Sequence, residues 1–141
     1  MAKSLLTENT LISKAIFTDQ VLVIVGGEDE GDIEAKVSEI MNIQGANQVQ
    51  LLVSFTAGES AGVLLKIEFS EDQTNWYQES MVSEFPIASV VEHTLVSRKV
   101  VATGNYGISI PVSASYIRVT ALVLTDGEDA VISITATASN I

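Results

Sequence analysis

The sequence predicts an all-β protein: a single antiparallel β-sandwich, jelly-roll or immunoglobulin-like, with an extended N-terminal segment. Three observations carry this reading. Apolar residues alternate with polar ones over several separate stretches, the period of two that gives a strand one buried face. Short clusters of Gly, Asn, Asp and Ser separate those stretches and supply turn chemistry. The stretch Val63 to Tyr77 joins both signals: Val63, Leu65, Ile67 and Phe69 alternate, Ser70 to Asn75 turn the chain, and Trp76 and Tyr77 reopen it as a hairpin. A hydrophobic fraction of 47% against 18% charged excludes a disordered chain, and 141 residues bury one core. No long Pro/Gly/Ser linker and no internal repeat divides the chain.

In chain order, residues 1–10 are polar and without periodicity. They fit either a frayed terminus or an arm that orders on a neighbouring subunit. The division predicted is an N-terminal arm over 1–14 and a sandwich domain over 15–141. Val21 to Val25 is a continuous, largely β-branched run, as in a strand buried on both faces. Gly26 to Asp32 is a Gly-rich, strongly acidic loop. Ile33 to Ile43 fits both helical and strand spacing, and the surrounding strands favour extended structure. Gly45-Ala46-Asn47 is a turn. Gln48 to Thr56 is a strand with Val49, Leu51, Val53 and Phe55 on one face. The loop Ala57 to Gly62 then leads into Val63, which makes these two strands antiparallel neighbours by default.

Glu79 to Val91 reads as irregular, because Pro86 forbids a central strand. Glu92 to Ala102 alternates again. Gly104-Asn105 is a turn, and Pro111 marks Tyr106 to Val112 as an edge or a strand end. Tyr116 to Leu124 is a clear strand. Thr125 to Asp129 centres on Asp-Gly and predicts a hairpin into Ala130 to Ala138. The expected core is Val49, Leu51, Val53, Phe55, Leu65, Ile67, Phe69, Trp76, Ile117, Val119 and Ile134.

Chemistry is sparse. There are no cysteines, so disulfides and zinc–thiolate sites are impossible. The single histidine, His93, has no nucleophile elbow to serve, and no phosphate-binding glycine pattern occurs. No enzyme and no cofactor are therefore expected. The acidic loops Glu28 to Asp32 and Asp126 to Asp129 are the sole metal candidates. They carry oxygen ligands of the kind calcium prefers but lack EF-hand spacing. With 7 Lys plus Arg against 18 Asp plus Glu, the net charge of −11 disfavours nucleic acid and anionic membrane as partners. No apolar run approaches a membrane helix, and the N-terminus lacks a secretory signal pattern.

The run from Ile40 to Tyr77 resembles structural proteins of tailed-bacteriophage virions. It holds an apolar stretch with a Gly-Ala turn (Ile40 to Asn47), then a strand ending Phe55-Thr56. A further strand closes on the Ser-x-Asp-x-x-x-Trp turn Ser70-Glu71-Asp72-Gln73-Thr74-Asn75-Trp76. Tyr116 to Thr120 matches as a later strand. Gln73 departs from the pattern, which has Gly after the Asp. The resemblance implies a virion protein, made in the host cytoplasm: a capsid decoration (cement) protein, or a neck, tail or baseplate component. Its implied partners are the major capsid protein, other virion proteins and further copies of itself as a homo-oligomer. It implies no catalytic residues. A carbohydrate-binding module is the alternative of another class, with Trp76, Tyr77, Tyr106 and Tyr116 as its aromatic set. Leu5, Leu6, Leu11 and Ile12 are the predicted interface residues, because apolar side chains on a terminal arm suit a neighbour's groove. A free edge strand offers a second route to contact.

Overall fold

The structure is a computed structural model that describes residues 10–22, 35–84, 90–124 and 130–141. These residues form twelve strand segments and no helix. They are β1 (Thr10–Leu22), β2 (Lys36–Val37), β3 (Met41–Asn42), β4 (Gln48–Thr56), β5 (Gly62–Ser70) and β6 (Tyr77–Gln78). Then follow β7 (Ser80–Glu84), β8 (Val91–Leu95), β9 (Arg98–Val100), β10 (Gly104–Pro111), β11 (Tyr116–Leu124) and β12 (Ala130–Asn140). The first sheet runs β1-β12-β4-β10 and the second β2-β11-β5-β6, with β3 also on β11 and β9 also on β5. Among the described residues, β7 and β8 pair only with each other.

Two interruptions hide a simpler plan. β2 and β3 share one lane beside β11, and β6 and β9 share one lane beside β5. Counted as lanes, the first sheet is first–eighth–third–sixth and the second is second–seventh–fourth–fifth. Every pairing is antiparallel. That order is a jelly roll, and it differs from the strand grouping of an immunoglobulin fold. The predicted antiparallel sandwich is therefore observed, in its jelly-roll form.

The alternating residues meet between the sheets. Val49, Leu51, Val53 and Phe55 of β4 lie in one buried cluster with Val63, Leu65 and Ile67 of β5. Ile117, Val119, Ala121 and Val123 of β11 and Ile132, Ile134, Ala136 and Ala138 of β12 belong to the same cluster. Burying each Val, Leu or Ile side chain contributes about 1.5–3 kcal/mol. Phe69 is only half-buried at the margin of this core, and Trp76 lies outside it.

Two expected hairpins are absent. β4 and β5 lie in different sheets, and so do β11 and β12. In this fold consecutive lanes change sheet, except at β5–β6, the predicted hairpin, where Glu68 opposes Gln78 and Phe69 opposes Tyr77. Period-two alternation states that one face is buried, and a strand alternates equally whether its successor lies beside it or across the core. The crossing after β4 has local causes. Ala57 N–H donates to Thr103 Oγ1 at 2.9 Å, Gly58 takes φ 56°, and Ala61 N–H donates to Leu124 O at 3.0 Å, which draws the chain to the second sheet. Gly62 then passes the β9 backbone so closely that a Cβ would stand 2.3 Å from Val100 O.

The N-terminal boundary also differs. β1 begins at Thr10 and pairs with β12 from Thr10↔Asn140 onward, so the predicted division between residues 14 and 15 falls inside a strand. Ladder pairing with β12, which the short stretch 10–14 does not reveal by itself, places these residues in the sheet. Val21 is 49% exposed, because β1 is an edge strand and not one buried on both faces. Val23 to Val25 and the acidic loops lie outside the described residues, as does the Asp-Gly turn.

Candidate functional site

The Ser-x-Asp-x-x-x-Trp turn is a built structural unit. Ser70 is buried, and its Oγ accepts from Gln73 N–H at 2.8 Å and Asp72 N–H at 3.2 Å. Asp72 Oδ1 accepts from Asn75 N–H at 2.8 Å and Thr74 N–H at 2.9 Å, and Oδ2 from Asn75 Nδ2 at 2.9 Å. These donors, led by the backbone N–H of Asn75, hold the Asp72 carboxyl well below the usual carboxylate range. Gln73 sits at φ 62°, the left-handed conformation that glycine adopts without strain. That is the position where the resembled pattern has Gly. Glu71 ties the turn to the next loop through Ser115 N–H at 2.6 Å. Trp76 Nε1 donates to Gln73 O at 3.3 Å, and the Arg118 guanidinium lies 4.1 Å over its ring. Arg118 in turn pairs with Glu68 at 3.2 Å, and Thr120 Oγ1 donates to the same Glu68 oxygen at 2.6 Å. Trp76 thus lies beneath Arg118 and not in the core, where the sequence placed it. A Trp face recruits a cation as readily as apolar neighbours.

Of the predicted interface residues, Leu5 and Leu6 lie outside the described residues. Leu11 and Ile12 are consecutive on β1 and therefore point to opposite faces of the sheet. Both are exposed, at 70% and 48%. Farther along, the edge of β1 is strapped to the second sheet by Glu39 N–H to Ile16 O at 3.0 Å and Lys14 Nζ to Ile40 O at 3.0 Å.

The outer face of the first sheet is unusual for an acidic chain. Register places Ala15, Thr135, Leu52 and Gly107 in one row across four strands, and Ser13, Thr137, Gln50 and Ser109 in the next. Leu11, Ser139, Gln48 and Pro111 form a third row. None of the three holds a charge. Asp19 is met only at the rim, bonded to Ser133. An open depression of about 520 Å³ lies over this face, floored by Leu52, Ser54, Asn105, Gly107, Ser133 and Thr135. The outer face of the second sheet instead carries Lys66, Glu68, Lys99 and Arg118.

The ribbon of β7 and β8 is the second feature that composition hid: Pro86 made Glu79 to Val91 read as irregular, which concealed β7, while most of β8 lies in the stretch from Glu92 that reads as alternating. Its base is clamped by a bidentate pair, Arg98 Nη2 to Glu79 Oε2 at 2.6 Å and Nε to Oε1 at 3.1 Å. Gln78 Nε2 to Val96 O at 2.9 Å and Val96 N–H to Glu79 O at 2.8 Å complete the clamp. Beyond it the side chains are uncovered: Met81 58%, Val82 53%, Val91 50% and Leu95 67% exposed. His93, opposite Val82, is exposed on this ribbon. Among the described residues no cluster of His, Asp and Glu is arranged to hold a metal. The aromatic set is dispersed: Tyr77 is exposed, Tyr116 buried, Trp76 covered by Arg118, and Tyr106 OH donates to Ala102 O. They form no shared stacking platform.

No family model matches the chain, and no curated protein matches it by sequence. Its fold is similar to that of a chain in the structure of infectious bursal disease virus, Gx strain. The match has a TM-score of 0.51 and 11% sequence identity over 95% of this chain and 33% of that one. A chain in the structure of the Gt strain gives 0.47 and 8% over the same shares. The protein thus spans about a third of the length of the viral chains it matches. At this identity the likeness is one of fold.

Proposed function

We propose that this protein is a structural component of a virion and acts by surface contact, without catalysis. The observation that carries the reading is the jelly-roll lane order, an architecture used by viral capsid domains as well as by lectins and cupins. The fold likeness to a chain of a virus structure supports the capsid branch of that choice. The dispersed aromatic residues disfavour the sugar-binding branch. The resemblance of Ile40 to Tyr77 refines the proposal to a decoration (cement) protein on the head of a tailed bacteriophage, with the major capsid protein as its partner. A neck, tail or baseplate position is the variant of the same reading. The test is quantitative mass spectrometry of purified particles, with immunogold labelling to locate the chain. Many copies per particle, with label on the head, are expected. Absence from intact particles would overturn the proposal, and label confined to the tail would move the protein there.

A further inference from the structure

We infer that two copies of this chain join edge to edge, β10 of one pairing antiparallel with β10 of the other about a two-fold axis at Gly107. This deepens the building-block reading above and rests on it for biological purpose, while the contact itself can be tested alone. The two sheets of the sandwich have four edges, and three are built against strand addition. β1 carries two register shifts, with Asp19 at φ 43°, and is strapped to the second sheet. The lane of β2 and β3 and the lane of β6 and β9 are each broken, and they carry Lys36, Arg98 and Lys99. β10 differs on every count. It pairs with β4 along its whole length without a shift, and it holds no charge from Gly104 to Pro111. Among the described residues no strand lies beyond it. Val112 N–H donates to Asn47 O at 3.1 Å. By the alternation of an antiparallel ladder, Ile110, Ile108 and Tyr106 then turn their backbone groups to β4, and Ser109, Gly107 and Asn105 turn theirs outward. Pro111 falls in the outward set, where its missing N–H takes no bond from the sheet.

The strand is its own complement, which selects a second copy as the occupant. With Gly107 opposite the partner's Gly107, Asn105 meets the partner's Ser109, and each of these pairs exchanges both its backbone hydrogen bonds. On the core side the same register sets Tyr106 against the partner's Ile108, an aromatic and β-branched pair of the kind that stabilises sheets. Both residues are half-buried at the core margin, so the pairing covers apolar surface that one copy leaves open. The register is fixed from both sides. Sliding one way sets Pro111, which has no N–H, against Asn105. Sliding the other way sets Thr103, which precedes the strand, against Ser109. A two-fold contact brings like residues together, so between two chains of −11 it needs a stretch without charge, and β10 is one. β1 is strapped beside the lane of β2 and β3, so β10 shares its side of the sandwich with the lane of β6 and β9. There Glu79 is paired with Arg98, Glu71 is bonded to Ser115, and the ribbon's Glu84 and Glu92 lie toward the end away from its clamp.

Sedimentation of the purified full chain up to about 1 mM, with amide hydrogen exchange read over the same series, tests the inference. A monomer–dimer equilibrium is expected. The amides of Asn105, Gly107 and Ser109 should exchange fast in dilute solution and about tenfold slower or more in the dimer, while those of Tyr106 and Ile108 stay protected throughout. The second arm uses the axis. A Cβ at Gly107 meets Gln50 Nε2 at 3.8 Å, an ordinary contact, so a side chain fits there. Gly107→Lys and Gly107→Glu each set like charges opposite one another and should each weaken dimerisation about fivefold, most strongly at low salt. Mixed, they set Lys opposite Glu and should form a one-to-one heterodimer tighter than either variant's own dimer. An unchanged far-ultraviolet spectrum confirms that both variants fold, and the exchange arm uses the unaltered chain and needs neither. A wild-type chain that stays monomeric, a dimer without new protection at these amides, single variants that dimerise normally, or a mixture that pairs no better than its components would each overturn the inference. A chain that is present in particles yet monomeric sinks the contact alone. A chain that dimerises yet is missing from particles sinks the virion reading alone.

Discussion

Replacing Ser38 with alanine should destabilise the fold by about 1–3 kcal/mol, although Ser38 lies in no strand. The lane of β2 and β3 is broken between Val37 and Met41, so β11 has no continuous partner on that side. Ser38 fills the gap with both its groups. Its backbone N–H donates to Val119 O at 2.8 Å, and its Oγ accepts from Val119 N–H at 2.8 Å. The hydroxyl donates in turn to Glu39 O at 2.9 Å. Val119 is fully buried, so removing Oγ leaves its N–H without a partner and without water. The penalty for such a donor is about 1–3 kcal/mol, and at about 3–5 °C per kcal/mol for a chain of this size Tm should fall about 3–15 °C. Urea denaturation at neutral pH should show a lower midpoint with an unchanged slope. Ser109→Ala, on the exposed outer face of β10, serves as the control and should change nothing. If Ser38→Ala lies within about 0.5 kcal/mol of wild type, the hydroxyl is not completing the ladder and the reasoning fails.

The remaining predictions concern the turn and the core. Asp72→Asn should lower the urea midpoint at pH 7. The native carboxyl is depressed by its N–H donors, so its contribution is complete above the unfolded value of about 3.9 and is lost as pH falls below it. The gap between wild type and Asp72→Asn should therefore narrow at pH 3, and a constant gap would contradict the assignment. Gln73→Gly should be neutral to about 1 kcal/mol stabilising, whereas Gln73→Val should destabilise by about 1–2 kcal/mol, because φ is 62°. Thermal melts that rank valine above glycine would refute the turn geometry. Phe55→Ala should cost about 3–5 kcal/mol and Phe69→Ala clearly less, since Phe55 is 1% exposed and Phe69 lies at the core margin. Arg118→Ala should shift the emission of the single tryptophan to longer wavelength by uncovering its ring; an unchanged spectrum would argue against the stacking.

Strand bodies were legible in the sequence because alternation is a local property. The range Gln48–Thr56 and the range Tyr116–Leu124 were read to the residue, and Pro111 correctly signalled the end of an edge strand. Partnership was not legible. Asp126-Gly127 looks like a hairpin turn, yet β11 and β12 belong to different sheets, because burial by two sheets imposes the same period as burial by one. The misplacement of Trp76 has a different origin. Hydrophobicity predicts a buried ring, and the Arg118 cation that covers it lies 42 positions away in the chain. β7, and with it the ribbon it forms with β8, was missed because Pro86 was allowed to speak for its neighbours. The charge-free face was missed because it is made by four strands together, none of them unusual alone.

The pairing of β1 with β12 sets the order in which this protein can be made. β12 is the last strand described, yet it sits inside the first sheet, between β1 and β4. Its two neighbours leave the ribosome long before it does and must wait apart, with the ladder edges facing the gap unpaired. The first sheet can close only when residues 130–140 have emerged and the chain has brought residue 10 beside residue 140. Folding is then a late, non-local event of the slow kind typical of sandwiches. Until it occurs, Val49, Leu51, Val53 and Phe55 are exposed on a half-built sheet, so nascent chains of this protein should be strong clients of ribosome-associated chaperones.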